Sequence, residues 1–354
     1  MRLGIFLPNW IGDVAMATPA IRALRRFVGE GSLIAIMRPY VAEALGGNPW
    51  FDAQILYDKK SSADAALKWP AVQQKLRDAE LDAVVLLTNS LRTGWMAYRS
   101  GASQRIGMAG NLRSPLLTTR VYPPRQGRRA LTIPPINGYL QVAYAAGASP
   151  EAPTMELFTT AADEQAADAA WSRLNLPADG RVAVLNTGGA FGAAKDWPAA
   201  SFTQLALRLV RERDFHVVLN CGPAERQAVR DIVADAHDER ITNLADEPAL
   251  PIGLTKALIR RARLLVTTDS GPRFFGVAFG VPTVSLFGPT STKYTRTGAA
   301  NDKTLSLGLG CQPCMARTCP LQHHRCMRDL SVDRVWAAIN EALAATSVGP
   351  RLAA

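Results

Sequence analysis

Short apolar runs alternate with amphipathic stretches through the second half of this chain, and few architectures accept that rhythm. Residues 182–186, 215–220, 264–267 and 282–287 read as strands. Residues 202–213, 224–236 and 255–262 read as helices between them, the first capped by Ser201. Strands alternating with helices at this spacing imply βαβ units and a parallel sheet. Each strand runs into a turn of small residues, and in an open α/β sheet ligands bind beyond the carboxyl ends of strands.

The first half follows the same plan less clearly. Residues 2–7, 32–37 and 83–87 read as strands, with helical segments near 63–79 and 137–146. The loop Pro8-Asn9-Trp10-Ile11-Gly12-Asp13 leads into an amphipathic helix that reaches about Phe27, with Gly29 as its stop. Either Thr18 and Pro19 are its N-cap and first residue, or it starts near Asp13 and bends at Pro19. Residues 107–137, rich in Pro, Gly and Arg, read as long loops. Pro150, Pro153 and Pro177 mark a boundary, with a short strand at 157–159 and a linking helix at 163–174. Residues 332–345 form a final helix and residues 346–354 a frayed tail. A chain of 354 residues exceeds one typical core. The expectation is α/β, two doubly wound domains at 1–160 and 175–345 with a cleft between them.

Charge separates the two halves. Residues 1–140 hold 18 Lys and Arg against 9 Asp and Glu, whereas the remainder holds 22 against 21. Between Asp82 and Glu151 there is no acid, yet Arg92, Arg99, Arg105, Arg113, Arg120, Arg125, Arg128 and Arg129 occur. A one-signed face attracts an anionic partner: nucleic acid, an anionic membrane surface or a phosphorylated glycolipid. Aromatics do not interleave with these arginines as single-strand platforms require, which argues against nucleic acid. No apolar run reaches ~18 residues and the N-terminus lacks signal-peptide character, so the expected location is cytoplasmic.

Five constellations carry chemistry. Gly12-Asp13 ends the first strand; the carboxylate either accepts a proton from an incoming hydroxyl or caps a helix. The segment from Thr187-Gly188-Gly189 to Lys195 offers backbone that a ligand can approach closely, plus a mobile point charge for phosphate. It is neither a Walker loop nor the dinucleotide fingerprint. Glu225 follows Cys221-Gly222-Pro223 and is either a helix-opening acid or an acceptor for ribose hydroxyls. Thr268-Asp269-Ser270-Gly271 places backbone N–H groups at a helix start, and Gly288-Pro289-Thr290 ends the next strand. Together they describe a pocket for a nucleotide diphosphate.

Cys311, Cys314, Cys319 and Cys326 form a sixteen-residue C-x2-C-x4-C-x6-C run enclosing His323 and His324. Two readings stand: a structural zinc site, or a reduced loop without metal. Cys221 reads as a core residue at a strand end.

These motifs resemble the bacterial ADP-heptose:lipopolysaccharide heptosyltransferases of glycosyltransferase family nine. Gly12-Asp13 with Thr18-Pro19-Ala20, the Gly189–Trp197 loop with Ala194-Lys195, Thr268–Pro272 and Gly288-Pro289-Thr290 carry the likeness. Cys311-Gln312-Pro313-Cys314 through Cys319-Pro320 to Cys326-Met327 is similar to the heptosyltransferase II branch. The resemblance implies a GT-B fold of two Rossmann-like domains, the first binding acceptor and the second the sugar nucleotide. It implies metal-independent, inverting transfer of L-glycero-D-manno-heptose from ADP-heptose to the inner core of lipopolysaccharide. By position, Asp13 is the base and Lys195 neutralises the departing diphosphate with Thr187 and Gly188 nearby. Glu225 holds the ribose, Ser270, Gly271 and Thr290 line the phosphates, and Asp269 contacts the sugar or orders its turn. Arg92, Arg105 and Arg113 are candidate contacts to the anionic lipid A-core acceptor, and the basic loops would rest peripherally on the inner membrane. One departure stands out: many relatives carry His in the helix after the Ser-Gly turn, where this chain has Phe274 after Arg273. Two alternatives remain: a related GT-B enzyme using another nucleotide sugar, and a non-catalytic binder of anionic polymer.

Overall fold

Continuous apolar runs become fully buried parallel strands in both halves of the molecule, because helices cover each sheet on two faces. The computed structural model describes residues 1–58, 64–127, 129–189 and 191–346. Ala63, Arg128, Ala190 and the 347–354 part of the tail lie outside the described residues, as do the expectations placed on them. The chain divides into two units, Met1–Phe158 and Thr159–Ala354.

In the first unit β1 (Arg2–Phe6), β2 (Ser32–Met37), β3 (Ala53–Leu56), β4 (Ala83–Leu86), β5 (Gln104–Met108) and β6 (Thr119–Val121) form one sheet. Its order is β3-β2-β1-β4-β5-β6, with every pair parallel. A two-residue antiparallel hairpin, β7 (Arg125–Gln126) and β8 (Arg129–Ala130), interrupts the 107–137 loops. The helices are α1 (Ile11–Val28), α2 (Pro39–Ala44), α3 (Trp69–Asp78), α4 (Leu91–Arg99) and α5 (Pro135–Ala145). Phe6, Ile36, Val84, Leu86, Leu76 and Met96 centre one core.

Helix α1 starts ahead of Asp13 and carries Pro19 inside it, so Thr18 and Pro19 do not start it. Proline at 19 leaves the Ala15 carbonyl without its helical donor. The Thr18 hydroxyl takes that place, donating to Ala15 O at 2.7 Å. It also accepts the Glu156 N–H at 3.1 Å, which ties the end of the unit to the helix.

The second unit repeats the topology. Its strands are β9 (Val182–Asn186), β10 (His216–Asn220), β11 (Ile241–Asn243), β12 (Leu264–Thr268), β13 (Thr283–Phe287) and β14 (Asp302–Ser306). The order is β11-β10-β9-β12-β13-β14, again wholly parallel. Helices α6 (Ala161–Arg173), α7 (Ala199–Arg213), α8 (Arg226–Ala236), α9 (Ile252–Arg261), α10 (Gly271–Ala278), α11 (Arg325–Arg328) and α12 (Val332–Thr346) complete it. Leu185, Leu209, Leu219, Val266, Leu286, Met327 and Ile339 lie in its core.

Three local expectations change. Helix α7 begins at Ala199, so Ser201 lies inside its first turn and does not cap it. Residues 157–159 join neither sheet. The helix expected as a linker, α6, belongs to the second unit. A Thr160–Asp163 capping box starts it, and Asp163 pairs with the buried Lys256 of α9 at 3.2 Å while Glu164 and Asp168 pair with Arg261.

Candidate active site

In a sheet of this order the chain reverses direction between its first and fourth strands, and the two loops leaving them splay apart into a crevice. In the second unit those strands are β9 and β12. Thr187, Gly188 and Gly189 leave β9; Asp269, Ser270 and Gly271 leave β12 and open α10. Of the expected residues, Thr187, Gly188, Asp269, Ser270 and Gly271 therefore lie at the reversal point of the sheet.

The approach of these loops explains their glycines. A Cβ on Gly188 would lie 2.7 Å from Glu225 Oε1, and one on Gly189 would lie 2.9 Å from Ser270 Cβ. Beneath them, two asparagines at strand ends hold the turns. Asn220 Nδ2 donates to Asn186 Oδ1 at 2.7 Å; Asn186 Nδ2 donates to Gly188 O at 2.9 Å and to Ser270 Oγ at 3.0 Å. Sequence reading missed both asparagines. Their signal was a primary amide ending two otherwise apolar strands, where an unpaired one costs free energy.

A chain of buried charges crosses the site. Lys195 Nζ pairs with Asp269 Oδ2 at 3.1 Å and also donates to the Asp269 carbonyl. Asp269 Oδ1 accepts from Arg273 Nη1 at 3.3 Å, and Arg273 Nη2 pairs with Asp302 Oδ2 at 2.7 Å. Ser285 and Thr297 hydroxyls donate to Asp302 at 2.9 and 2.8 Å. Arg273 is fully buried. Asp269 thus orders its turn, and Arg273 is a structural hub. Phe274 is buried as well, its ring centroid 5.1 Å from the Arg273 guanidinium.

Thr187 and Thr290 differ from this saturated network. Both are buried, and among the described residues their hydroxyls have no hydrogen-bond partner. Buried hydroxyls are normally paired, so two unpaired ones on the loops leaving β9 and β13 suit a ligand that supplies acceptors. Glu225 accepts the Gly222 N–H at 2.5 Å through Oε2 and stands over Gly188.

The cysteine segment braces both ligand loops. Ala194 N donates to Arg317 O at 3.0 Å, and His324 Nε2 lies 2.9 Å from Ala194 O. Gln312 Nε2 donates to Gly288 O at 2.7 Å, and Met315 N to Pro289 O at 2.8 Å. Cys311, Cys314, Cys319 and Cys326 are free thiols that line one small cavity with both histidines. Burial, then the neighbouring Cys319, Cys311 and Cys314, push the Cys326 thiol up. Among the described residues no group of three or more His, Cys, Asp or Glu side chains is placed to hold a metal ion, so the zinc arrangement offered by the spacing is not assembled.

In the first unit the reversal point lies between β1 and β4. Asp13 stands in the first turn of α1, directly after β1. Burial raises its pKa from 3.8 to about 6, against the lowering effect of a hydrogen bond from Tyr139 on α5. A helix N-terminus favours the ionised form; here desolvation outweighs it. The carboxylate is therefore both near a helix start and poised to take a proton close to neutrality.

The three arginines expected at the acceptor separate. Arg113 is fully buried: its guanidinium donates to the carbonyls of Thr88 and Met108 and to Asn89 Oδ1 at 2.8 Å. Burial lowers its pKa to about 10. Its hydrogen bonds are consumed in holding the loops after β4 and β5, which corrects the acceptor role expected of it. Arg105 donates to Leu116 O at 2.8 Å and Ala102 O at 2.5 Å and stacks over Tyr98; it too is occupied by scaffold. Arg92 is exposed on α4.

Comparison with known proteins places this arrangement. The model of glycosyltransferase family 9 (heptosyltransferase) matches residues 69–325. A lipooligosaccharide heptosyltransferase 2 of Campylobacter jejuni is 34% identical over 163 residues, which is 44% of this chain and 49% of that protein. The match spans about half the length of that relative. Lipopolysaccharide heptosyltransferase 2 of Escherichia coli K12 is 23% identical over 97% of this chain and 99% of its own. The solved structure of E. coli ADP-heptose lps heptosyltransferase II shares the fold, with a TM-score of 0.79 at 21% identity, covering 98% of this chain and all of that one.

Proposed function

Because the chain belongs to glycosyltransferase family 9, the heptosyltransferases, we propose that it transfers heptose from ADP-L-glycero-D-manno-heptose to the inner core of lipopolysaccharide with inversion at the anomeric carbon. The names of the E. coli relatives specify ADP-heptose and lipopolysaccharide. The observation that carries the reading is the arrangement of the loops leaving β9, β12 and β13: a buried Lys195 ammonium paired with Asp269, and buried Thr187 and Thr290 hydroxyls that find no partner among the described residues.

Lys195, Thr187, Thr290 and the N–H groups opening α10 at Ser270 and Gly271 receive the diphosphate. Gly188 lets it approach, and Glu225 accepts a ribose hydroxyl. Asp13, ionised above pH 6, takes the proton of the acceptor hydroxyl. The acceptor oxygen forms its bond to the anomeric carbon as the bond from that carbon to the diphosphate oxygen breaks. The proton rests on Asp13, and the charge that leaves on ADP is met by Lys195. The positive charge in this scheme comes from the protein. Arg92 contacts the anionic lipid A-core acceptor. Among the described residues no helix is long and apolar enough to cross a membrane; the protein works at the cytoplasmic leaflet as a peripheral protein, without nucleic acid.

The test is a thermal-shift panel of ADP, UDP and GDP, followed by ADP release from ADP-heptose with and without a lipid A-core acceptor. Protection by ADP and acceptor-dependent release are expected. Protection by UDP or GDP alone overturns the donor, and release without acceptor overturns the transfer.

A further inference from the structure

Helix α4 turns a face to solvent that a free surface would not normally carry. Leu91, Trp95 and Tyr98 are exposed along it, with Arg92 and Arg99 beside them. These positions share one side of a helix, while Thr93, Met96 and Ala97 are buried. The Trp95 and Tyr98 rings lie 5.7 Å apart, and Arg105 stands 5.5 Å from the Tyr98 centroid.

The loop after β5 extends this surface. A Cβ on Gly94 would lie 3.2 Å from Arg113 Cβ and 3.5 Å from Leu116, so α4 packs directly on the 113–116 turn. At the tip Leu112 is 85% exposed and sits at φ 60°, a left-handed conformation that is costly for leucine. The buried Arg113 guanidinium fixes the base of the tip, and Arg120 Nε donates to Ser114 O at 2.9 Å. Tyr122, 60% exposed, follows β6. A rigid mount therefore presents an apolar tip and three aromatic side chains amid arginines, in a stretch with no acid between Asp82 and Glu151.

Each component suits one environment. Trp and Tyr favour the zone where lipid headgroups meet acyl chains. A leucine at a loop tip gains from shallow insertion, and arginines gain from anionic headgroups. An acidic protein partner would satisfy the arginines but not the protruding, strained leucine.

We propose that the outer face of α4 and the 110–122 loop form a docking surface for an anionic lipid bilayer. This deepens the reading above, on which it rests for a membrane-borne acceptor, by naming the surface that meets that membrane.

Co-sedimentation with vesicles of phosphatidylcholine mixed with phosphatidylglycerol tests it, with pure phosphatidylcholine as control. Binding to the mixed vesicles is expected, weakened by salt and absent from the control. Combined Trp95→Ser, Leu112→Ser and Tyr122→Ser should lower binding about tenfold, while ADP thermal protection and turnover of detergent-dissolved acceptor stay unchanged. Leu112→Gly alone relieves the backbone strain, so it should hold or raise stability while still lowering binding. Wild-type retention on mixed vesicles by both variants overturns the surface; so does equal binding to pure phosphatidylcholine, or preference for RNA over mixed vesicles at equal salt. Absence of turnover by wild type in detergent would count against the transfer reading and leave vesicle binding to be judged separately.

Discussion

The two sheets share one strand order but treat charge at their reversal points in opposite ways. In the second unit Lys195, Asp269, Arg273 and Asp302 alternate in sign through a buried chain, so the loops stand fixed before any ligand arrives. In the first unit Asp13 forms no ion pair among the described residues and carries a pKa of about 6. In the proposed mechanism the group that binds the charged diphosphate is held in place by paired charges, whereas the group that accepts the proton is free of ion pairs among the described residues and partly desolvated, so that its basicity rises. That mechanism assigns stability and reactivity to different units.

Asp13→Asn strikes this contrast hardest. Transfer should fall by about 10²–10⁴-fold, with ADP protection retained, as read by steady-state turnover and thermal shift. The same variant should be more stable than wild type above pH 6. The folded protein binds the Asp13 proton more tightly than the unfolded chain does, so the penalty for ionising it grows from pH 3.8 through about pH 6. Melting at pH 8 should show a gain of about 3 kcal/mol, vanishing below pH 4. Lys195→Met removes the ammonium on the donor side; turnover should fall by about 10²–10³-fold, and here ADP protection should fall with it.

Arg273→Met tests the paired side by stability alone. Leaving Asp269 and Asp302 buried without their cation should cost about 3–5 kcal/mol in urea unfolding. A loss under about 1 kcal/mol would mean that the chain of charges does not fix the loops. The smallest effect belongs to the unpaired hydroxyls. Thr187→Val and Thr290→Val should weaken ADP binding by about 0.5–1.5 kcal/mol each while leaving the ligand-free protein as stable or slightly more so. Calorimetric titration with ADP resolves that difference.

Much of this plan was legible in the sequence. Strands buried on both faces read as continuous apolar runs, so β1, β2, β4, β9, β10, β12 and β13 stood out. Strands β3, β6 and β14 lie at or next to sheet edges, are short or half-polar, and carry no such signal. The ligand loops were visible because glycines cluster where backbones approach. The charges behind them were not: Arg273 reads as one more arginine near a turn, and only the fold brings Asp302, 29 residues on, against it. Arg113 failed for a related reason. An arginine in a basic stretch suggests a solvated face, but carbonyls from two loops drew this one into the interior. Composition reports the sign of a surface and does not say which of its charges reach it.

The account depends most on Asp13 as the proton acceptor, and the pH dependence of kcat/KM for ADP-heptose and acceptor tests that directly. It predicts an acidic limb that rises to a plateau with an inflection near pH 6, abolished together with activity in Asp13→Asn and restored at reduced rate in Asp13→Glu. A profile flat from pH 5 to pH 8, or the same limb with near-normal turnover in Asp13→Asn, would contradict it.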